Sequence, residues 1–167
     1  MLEETYLKII SAKTASLFSA ATRVGAILSE KENKIKDALE FYGKNLGLTF
    51  QIADDSLDYN SEIKFFGKEI GNDFYEGKIT LPIILLYQKA KTNEKKILKE
   101  FFEKKVRSEN EFKEVLLMIK KYNIISECYK KAGYFINLAC NSLTIFDESK
   151  QKDVLQNLTF FSLERNF

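Results

Sequence analysis

The chain has 167 residues, of which 45% are apolar and 30% charged, a composition typical of soluble globular proteins that argues against disorder. Its 26 basic and 24 acidic residues are interleaved and leave a formal net charge of +2, so we expect no nucleic-acid partner. No uncharged apolar run reaches the roughly 20 residues that span a bilayer, and the acidic start MLEETYLK is unlike a secretory signal, so we expect no transmembrane segment and a cytoplasmic location.

The spacing of apolar residues predicts an all-helical chain with weak strand signals. A first helix is predicted from Tyr6 to Leu28 and a second from Lys34 to Asp58. Gly43 and Gly47 lie inside the second helix, where each costs about 1 kcal/mol relative to alanine. Because they are four residues apart they share a face, and two interpretations remain open: close approach of a neighbouring helix, or a bend.

The segment from Tyr59 to Ile79 has no helical periodicity and is predicted to be a long loop of the functional or disordered kind. After it, Thr80 as N-cap and Pro82 in the first turn predict a third helix. Further helices are predicted at Glu94 to Lys105, Glu109 to Tyr122 behind a capping box of Ser108 and Glu111, Ile124 to Ile145, and Lys150 to Leu163.

Histidine is absent, and Cys128 and Cys140 are the two cysteines. Zinc, haem and histidine-dependent nucleophile arrangements therefore lack their usual residues, and any metal ion must be held by oxygen. We interpret both cysteines as small buried residues on helices in a reducing compartment.

The end of the second helix, FQIADDSLDY, places Asp54, Asp55 and Asp58 within five residues. On a helix Asp54 and Asp58 point the same way and repel each other, which favours a compensating cation. Mg²⁺ fits best, because it prefers oxygen, takes one or two carboxylates, and completes its coordination with water and phosphate oxygens. The alternative is a solvated helix end whose acids face water.

Two neighbouring features favour the metal interpretation. Flexible glycines and separated lysines, which suit an anionic phosphate group, follow downstream: Gly67, Lys68, Gly71, Gly77 and Lys78. Upstream, Lys13 lies among the small and apolar residues of IISAKTASLFSAA, where burial of its charge without a partner is costly. Alternatively, the stem of Lys13 lies along the core and its ammonium group is in solvent.

Four segments, in order, resemble motifs of the trans-type polyprenyl diphosphate synthases, all-helical isoprenoid prenyltransferases that include octaprenyl diphosphate synthases. They are YLKIISAKTA (Tyr6 to Ala15), FQIADDSLDY with its DDxxD, GKEIGND (Gly67 to Asp73) and EGKITLP (Glu76 to Pro82). The resemblance covers essentially the whole chain, residues 1–167. It implies a helical bundle of the isoprenoid synthase type and Mg²⁺-dependent condensation of isopentenyl diphosphate with an allylic diphosphate.

The resemblance also implies roles for individual residues. Asp54 and Asp58 would ligate Mg²⁺ ions that bridge the allylic diphosphate, with Asp55 as a ligand or directly behind the ligands. Five side chains would contact the same diphosphate: Lys13, Thr14, Gln51, Lys68 and Lys78. Of these, Lys13 and Lys68 would also act in catalysis, because ammonium groups neutralise the charge that builds on departing pyrophosphate.

Members of this family are longer and carry a first aspartate-rich motif upstream, for which this sequence has no equivalent. The resemblance therefore implies the C-terminal half of a synthase, either a fragment or a separately encoded half, whose activity alone is doubtful. The competing hypothesis is a non-catalytic helical subunit or degenerate fragment that binds a partner synthase, or an allylic diphosphate without turning it over. Its expected partners are the missing N-terminal half or a second copy, and uncovered apolar faces are expected to cause self-association.

Overall fold

The computed structural model describes residues 1–60 and 70–163, and these residues form helices without strands. The helices are α1 (Glu3–Ile10), α2 (Ser16–Leu28), α3 (Asn33–Leu57), α4 (Asn72–Glu76), α5 (Leu81–Lys89), α6 (Thr92–Glu103), α7 (Glu109–Lys121), α8 (Ile124–Ser142) and α9 (Lys150–Leu163). A π-helical turn, Ser11–Ala15, joins α1 to α2, and a 3₁₀ turn, Leu143–Ile145, follows α8. Among the described residues, no helix has the length and apolar character that crossing a membrane requires.

The predicted loop after α3 contains a helix that the sequence did not reveal. Its last part forms α4, only five residues long. Gly71 and Gly77 border α4 with φ angles of 91° and 75°, values that favour glycine. Two of the glycines that suggested a loop therefore flank a short helix. Residues 61–69 of the predicted loop lie outside the described residues.

Local capping signals were predicted with mixed success. The capping box before α7 is confirmed, since the Ser108 hydroxyl accepts from the Glu111 N–H and the Glu111 carboxylate accepts from the Ser108 N–H. Pro82 lies in the first turn of α5 as predicted, but the Thr80 hydroxyl makes no capping hydrogen bond. Only the Thr80 carbonyl takes part, accepting from the Ile84 N–H at 3.1 Å.

The chain divides into two compact units, and α3 runs from one into the other. Unit I comprises Met1–Tyr6 and Asp54–Tyr129, and unit II comprises residues 7–53 and 130–163. Unit II has an apolar core of Tyr42, Leu46, Ala139 and Leu143, against which Phe18, Leu39, Phe146 and Leu155 pack. The buried Tyr42 hydroxyl donates to the Leu155 carbonyl at 2.8 Å, so its polar atom is satisfied inside this core.

Close backbone approach explains the two glycines of α3. A Cβ atom at Gly47 would lie 2.6 Å from the Ala15 Cα, and one at Gly43 would overlap the Thr22 hydroxyl and the Phe18 carbonyl oxygen. Any larger side chain would push the neighbouring helical backbone away. The close-approach interpretation of these glycines is therefore confirmed within unit II.

Unit I is centred on aromatic side chains around α4 and α7. Phe74 packs against Phe112 and Phe102 with ring centroids 5.4 and 5.6 Å apart, and Tyr59 lies 6.1 Å from Phe112. Gly71 sits directly on the Phe112 ring, which leaves no room for a Cβ. This cluster fixes the backbone at the start of α4, immediately beside the acidic end of α3.

The two cysteines have different surroundings. Cys128 is fully buried on α8, as predicted, whereas Cys140 is only partly buried. The Cys140 sulfur lies 3.5 Å from the Thr159 hydroxyl. Neither cysteine forms a disulfide bond within the part of the chain that the structure describes.

Candidate functional site

The acidic turn, residues Asp54 to Asp58 at the C-terminal end of α3, is largely buried. Asp54 is partly exposed, whereas the exposed fractions of Asp55 and Asp58 are only 5% and 7%. An ionised carboxylate is costly to bury unless donors or cations compensate it. The interpretation as a solvated helix end is therefore excluded for Asp55 and Asp58.

A tyrosine hydroxyl holds Asp55. Tyr6, on α1, donates from its hydroxyl to Asp55 Oδ2 at 2.7 Å, and both side chains are buried in unit I. Burial raises the pKa of the Tyr6 hydroxyl, and the negative charge of Asp55 raises it further. Tyr6 therefore remains a hydrogen-bond donor at neutral pH. It lies within the YLKIISAKTA motif, but no local pattern in the sequence linked it to Asp55.

Backbone amides at the start of α4 hold Asp58. Its two carboxylate oxygens accept from the N–H groups of Gly71, Asn72 and Asp73 at 3.2, 3.2 and 2.9 Å. A carboxylate at a helix N-terminus satisfies amides that have no partner within the helix. Asp58 thus links the end of α3 to the start of α4 through hydrogen bonds. Its role as a metal ligand stays a prediction.

A fourth carboxylate, Asp73, joins the acidic turn. Partial burial raises the pKa of Asp73, and the negative charges of Asp58 and Asp54 raise it further against the opposing effect of Lys78. This electrostatic coupling was missed because Asp73 lies 15 residues beyond Asp58 along the chain, although it falls within the GKEIGND motif. Burial and the neighbouring acids therefore both disfavour the ionised form of Asp73.

The acidic residues fit a metal ion only if it takes few ligands from the protein. Across residues 1–60 and 70–163, no group of three or more Asp, Glu or Cys side chains is placed to hold a metal ion. Asp54 and Asp73 are the partly exposed carboxylates of this group, and the negative charge of Asp54 acts on Asp73. Mg²⁺ commonly takes one or two carboxylates and fills its remaining positions with water and phosphate oxygens. The donor set therefore suits a cation shared with a phosphorylated ligand.

Lys78 lies at the edge of this cluster. Its ammonium group is 2.6 Å from Glu76 Oε2 and 3.4 Å from Asp73 Oδ1, and half of its side chain is exposed. Hydrogen bonding to Glu76 raises the pKa of Lys78, with smaller contributions from Asp73. Lys78 is thus a charged, accessible group next to Asp73, and its predicted contact with phosphate remains untested.

In unit II, the π-helical turn carries Lys13 and Thr14. The turn is closed by the Ser16 N–H, which donates to the Ser11 carbonyl five residues earlier. The Thr14 hydroxyl donates to Gln51 Oε1 at 2.7 Å, so two predicted diphosphate contacts are brought together. Lys13 is exposed, as expected if its ammonium group is in solvent. Such π-helical turns are frequent at functional sites.

The predicted site residues thus fall into three groups. In unit II the structure brings Thr14, which follows Lys13 in the chain, together with Gln51. In unit I it places Asp54, Asp55, Asp58 and Lys78 with Asp73. Lys68 lies outside the described residues. Tyr6 and Asp73 are the additions that only the structure supplies.

Comparison with known proteins identifies the family. Residues 1–119 match the family model described as Polyprenyl synthetase. The chain belongs to the polyprenyl synthetase family. It is 31% identical to octaprenyl diphosphate synthase of Haemophilus influenzae over 99% of its own length and 50% of that protein. It is 34% identical to all-trans-nonaprenyl-diphosphate synthase (geranyl-diphosphate specific) of Rhodobacter capsulatus over 98% of its length and 49% of that protein.

Solved structures of this family have the same fold. A polyprenyl synthase from Caulobacter crescentus, complexed with calcium and isoprenyl diphosphate, matches with a TM-score of 0.92 and 32% identity, over 100% of this chain and 51% of that one. The predicted isoprenoid-synthase helical fold and family resemblance are therefore confirmed. This polyprenyl synthetase chain spans about half the length of the curated relatives it matches.

Proposed function

We propose that this chain supplies the second metal-binding and diphosphate-binding half of a polyprenyl diphosphate synthase. The reaction is Mg²⁺-dependent condensation of isopentenyl diphosphate with an allylic diphosphate. Family membership supports the reaction class, and the named relatives are prenyl diphosphate synthases. Because the chain spans about half of these relatives, condensation requires a counterpart to the part that it does not span.

The observation that carries the proposal is the concentration of negative charge at the acidic turn. Burial raises the pKa of Asp73, and the negative charges of Asp58 and Asp54 raise it further. A divalent cation relieves such repulsion, and the Caulobacter polyprenyl synthase is complexed with calcium and isoprenyl diphosphate. Asp54 and Asp73 would hold Mg²⁺ directly, while Asp55 and Asp58 contribute charge from their fixed positions.

Hydrogen-bond donors and cations of the chain serve the diphosphate. Thr14 and Gln51 would orient its oxygens through their linked side chains, and Lys13 would bind it from the exposed face of the π-helical turn. Lys68 and Lys78 would add positive charge to the binding of the diphosphate, as the family resemblance implies. When bound, Mg²⁺ neutralises charge on the departing diphosphate, which favours ionisation of the allylic C–O bond.

A binding measurement tests the retained half-site. Isothermal titration of the chain with geranyl diphosphate, with and without Mg²⁺, should show binding that depends on the metal. Asp54→Asn should weaken this binding by at least tenfold, whereas Asp37→Asn, a matched change on the exposed face of α3, should leave it unaltered. Equal binding by wild type with and without Mg²⁺ would contradict the proposal.

Turnover requires a separate experiment. Incorporation of labelled isopentenyl diphosphate would be followed for the chain alone and after mixing with the N-terminal half of the H. influenzae relative. We expect no product from either half alone and product from the mixture. Absence of product from a mixture that forms a stable complex would argue against catalysis in trans.

The second candidate function is a non-catalytic subunit. Three apolar side chains of α2 are exposed: Leu17, Val24 and Leu28. An exposed apolar stripe suits a helical protein partner, which favours this candidate. A subunit that binds only a partner synthase predicts complex formation without metal-dependent diphosphate binding, so the titration described above separates it from the first function. A form that binds an allylic diphosphate without turning it over is separated by the incorporation experiment.

A further inference from the structure

The contact between Tyr6 and Asp55 joins residues 49 positions apart, and both side chains are buried. The hydroxyl-to-Oδ2 distance of 2.7 Å is typical of a strong hydrogen bond to a carboxylate. A buried carboxylate gains most from such a donor, because rehydration cannot replace it. The contact is therefore a hydrogen bond that stabilises the buried Asp55 carboxylate, in addition to packing the two side chains together.

We propose that Tyr6 is a positioning residue for the cation site: its hydroxyl holds the Asp55 carboxylate in one orientation, and it acts on the cation only through Asp55. This inference rests on the proposed function, because it assumes that the acidic turn takes a divalent cation. It gives a role in cation binding to Tyr6 of α1, whose own side chain is uncharged.

The geometry explains why Asp55 needs such a residue. Asp55 is next to Asp54 on α3 but is rotated by about 100° from it, so it faces the protein interior. Its charge acts on a cation from a defined position only while the carboxylate is held in one orientation. The Tyr6 hydrogen bond provides this restraint.

The test compares Mn²⁺ affinity in wild type and Tyr6→Phe. Protein-bound Mn²⁺ would be measured by equilibrium dialysis at one fixed excess of inorganic pyrophosphate, so that chelation of Mn²⁺ in solution is the same for every variant. We expect Tyr6→Phe to weaken Mn²⁺ binding by roughly threefold to fivefold, less than the tenfold or more that follows loss of a partner of a metal ligand, because Asp55 acts on the cation through its charge. Binding of pyrophosphate without metal should be unchanged.

Tyr42→Phe is the matched control. It also removes a buried tyrosine hydroxyl with a 2.8 Å hydrogen bond, but in the core of unit II. Both variants should lower the melting temperature, while only Tyr6→Phe should alter Mn²⁺ affinity. Equal Mn²⁺ affinities for Tyr42→Phe and Tyr6→Phe would reduce Tyr6 to a structural role and overturn the proposal.

A double-mutant cycle with Asp55→Asn tests the route through Asp55. If Tyr6 acts through this carboxylate, Tyr6→Phe should have little further effect on Mn²⁺ affinity once Asp55→Asn is present. Additive losses would overturn the proposal. Should Tyr6→Phe lose its helical circular dichroism, Asp55→Asn alone decides, because wild-type Mn²⁺ affinity in that variant would show that Asp55 does not serve the cation.

The outcomes separate this inference from the proposed function. If wild type binds Mn²⁺ with pyrophosphate and Tyr6→Phe binds it equally well, the role of Tyr6 is refuted and the proposed function stands. If wild type binds no Mn²⁺ under these conditions, the retained cation site and the role of Tyr6 are both refuted.

Discussion

The middle and the C-terminal end of α3 are stabilised in different ways. In unit II, Gly43 and Gly47 allow direct contact with the backbone of neighbouring helical turns. In unit I, Asp55 and Asp58 are held by the Tyr6 hydroxyl and by backbone amides. The first region gains stability without any ligand, whereas the second gathers like charges that a bound cation would relieve. Substitutions of the glycines should therefore change stability alone, whereas substitutions of the aspartates should also change cation binding.

The largest effect is expected at the glycine contact. Gly43→Ala should lower the free energy of unfolding by about 3 kcal/mol, because the added Cβ overlaps the Phe18 carbonyl oxygen and the Thr22 hydroxyl. Urea denaturation followed by circular dichroism measures this change. Gly25→Ala is the control: with nothing within 4 Å of the added Cβ, it should stabilise the chain by up to about 1 kcal/mol. A neutral Gly43→Ala would mean that the helices can separate at no cost.

The next effect is expected at Asp58. Asp58→Ala should cost about 2 kcal/mol of unfolding free energy, because three backbone N–H groups lose their carboxylate acceptor. Hydrogen exchange provides the more specific measurement: the amides of Asn72 and Asp73 should lose protection in Asp58→Ala and keep part of it in Asp58→Asn. The Gly71 amide should stay protected, because it also donates to the Asp58 main-chain carbonyl at 2.9 Å. Unchanged protection would show that these hydrogen bonds do not form in solution.

A smaller effect of opposite sign is expected at Asp54. Asp54→Asn removes one of the charges that raise the pKa of Asp73, so it should stabilise the metal-free chain at pH 7 by a few tenths of a kcal/mol. The same change should abolish the Mg²⁺-dependent part of diphosphate binding. Stability that falls by more than about 1 kcal/mol would instead indicate that Asp54 is structural, since exposed like-charge effects are of the order of tenths of a kcal/mol.

The smallest effect concerns pH and lies away from the acidic turn. Hydrogen bonds from Lys121 and Tyr122, and from the Lys91 backbone, lower the pKa of Glu94 to about 2. A carboxylate with a lowered pKa contributes stability above its unfolded pKa and loses that contribution as pH falls through its folded pKa. Glu94→Gln should therefore lower the melting temperature at pH 7, and its difference from wild type should shrink between about pH 5 and pH 2.

The control for this pH effect is Glu100→Gln, an exposed change on the same helix. It should leave the pH dependence of the melting temperature as in wild type. A difference between Glu94→Gln and wild type that is constant from pH 7 to pH 2 would contradict a stabilising ion pair between Glu94 and Lys121.

Much of the fold and part of the site could be predicted from local patterns. Helix α9 has the predicted bounds, and the capping box of Ser108 and Glu111 is present, since both depend on residues close together in sequence. The short helix α4 was missed because its flanking glycines, Gly71 and Gly77, suggested only a loop. The π-helical turn at Ser11–Ala15 was missed because its apolar periodicity is close to that of an α-helix.

The sequence by itself determined the all-helical class, the family and the clustering of three aspartates, because periodicity and motif spacing are local properties of the chain. Tertiary structure alone decided how each acid is held: Asp55 by a tyrosine 49 residues away, and Asp58 by amides 13 to 15 residues away. Only folding brings these donors to the carboxylates. It likewise places Asp73 in their field, which leaves Asp54 and Asp73 as the partly exposed carboxylates of the acidic cluster in unit I.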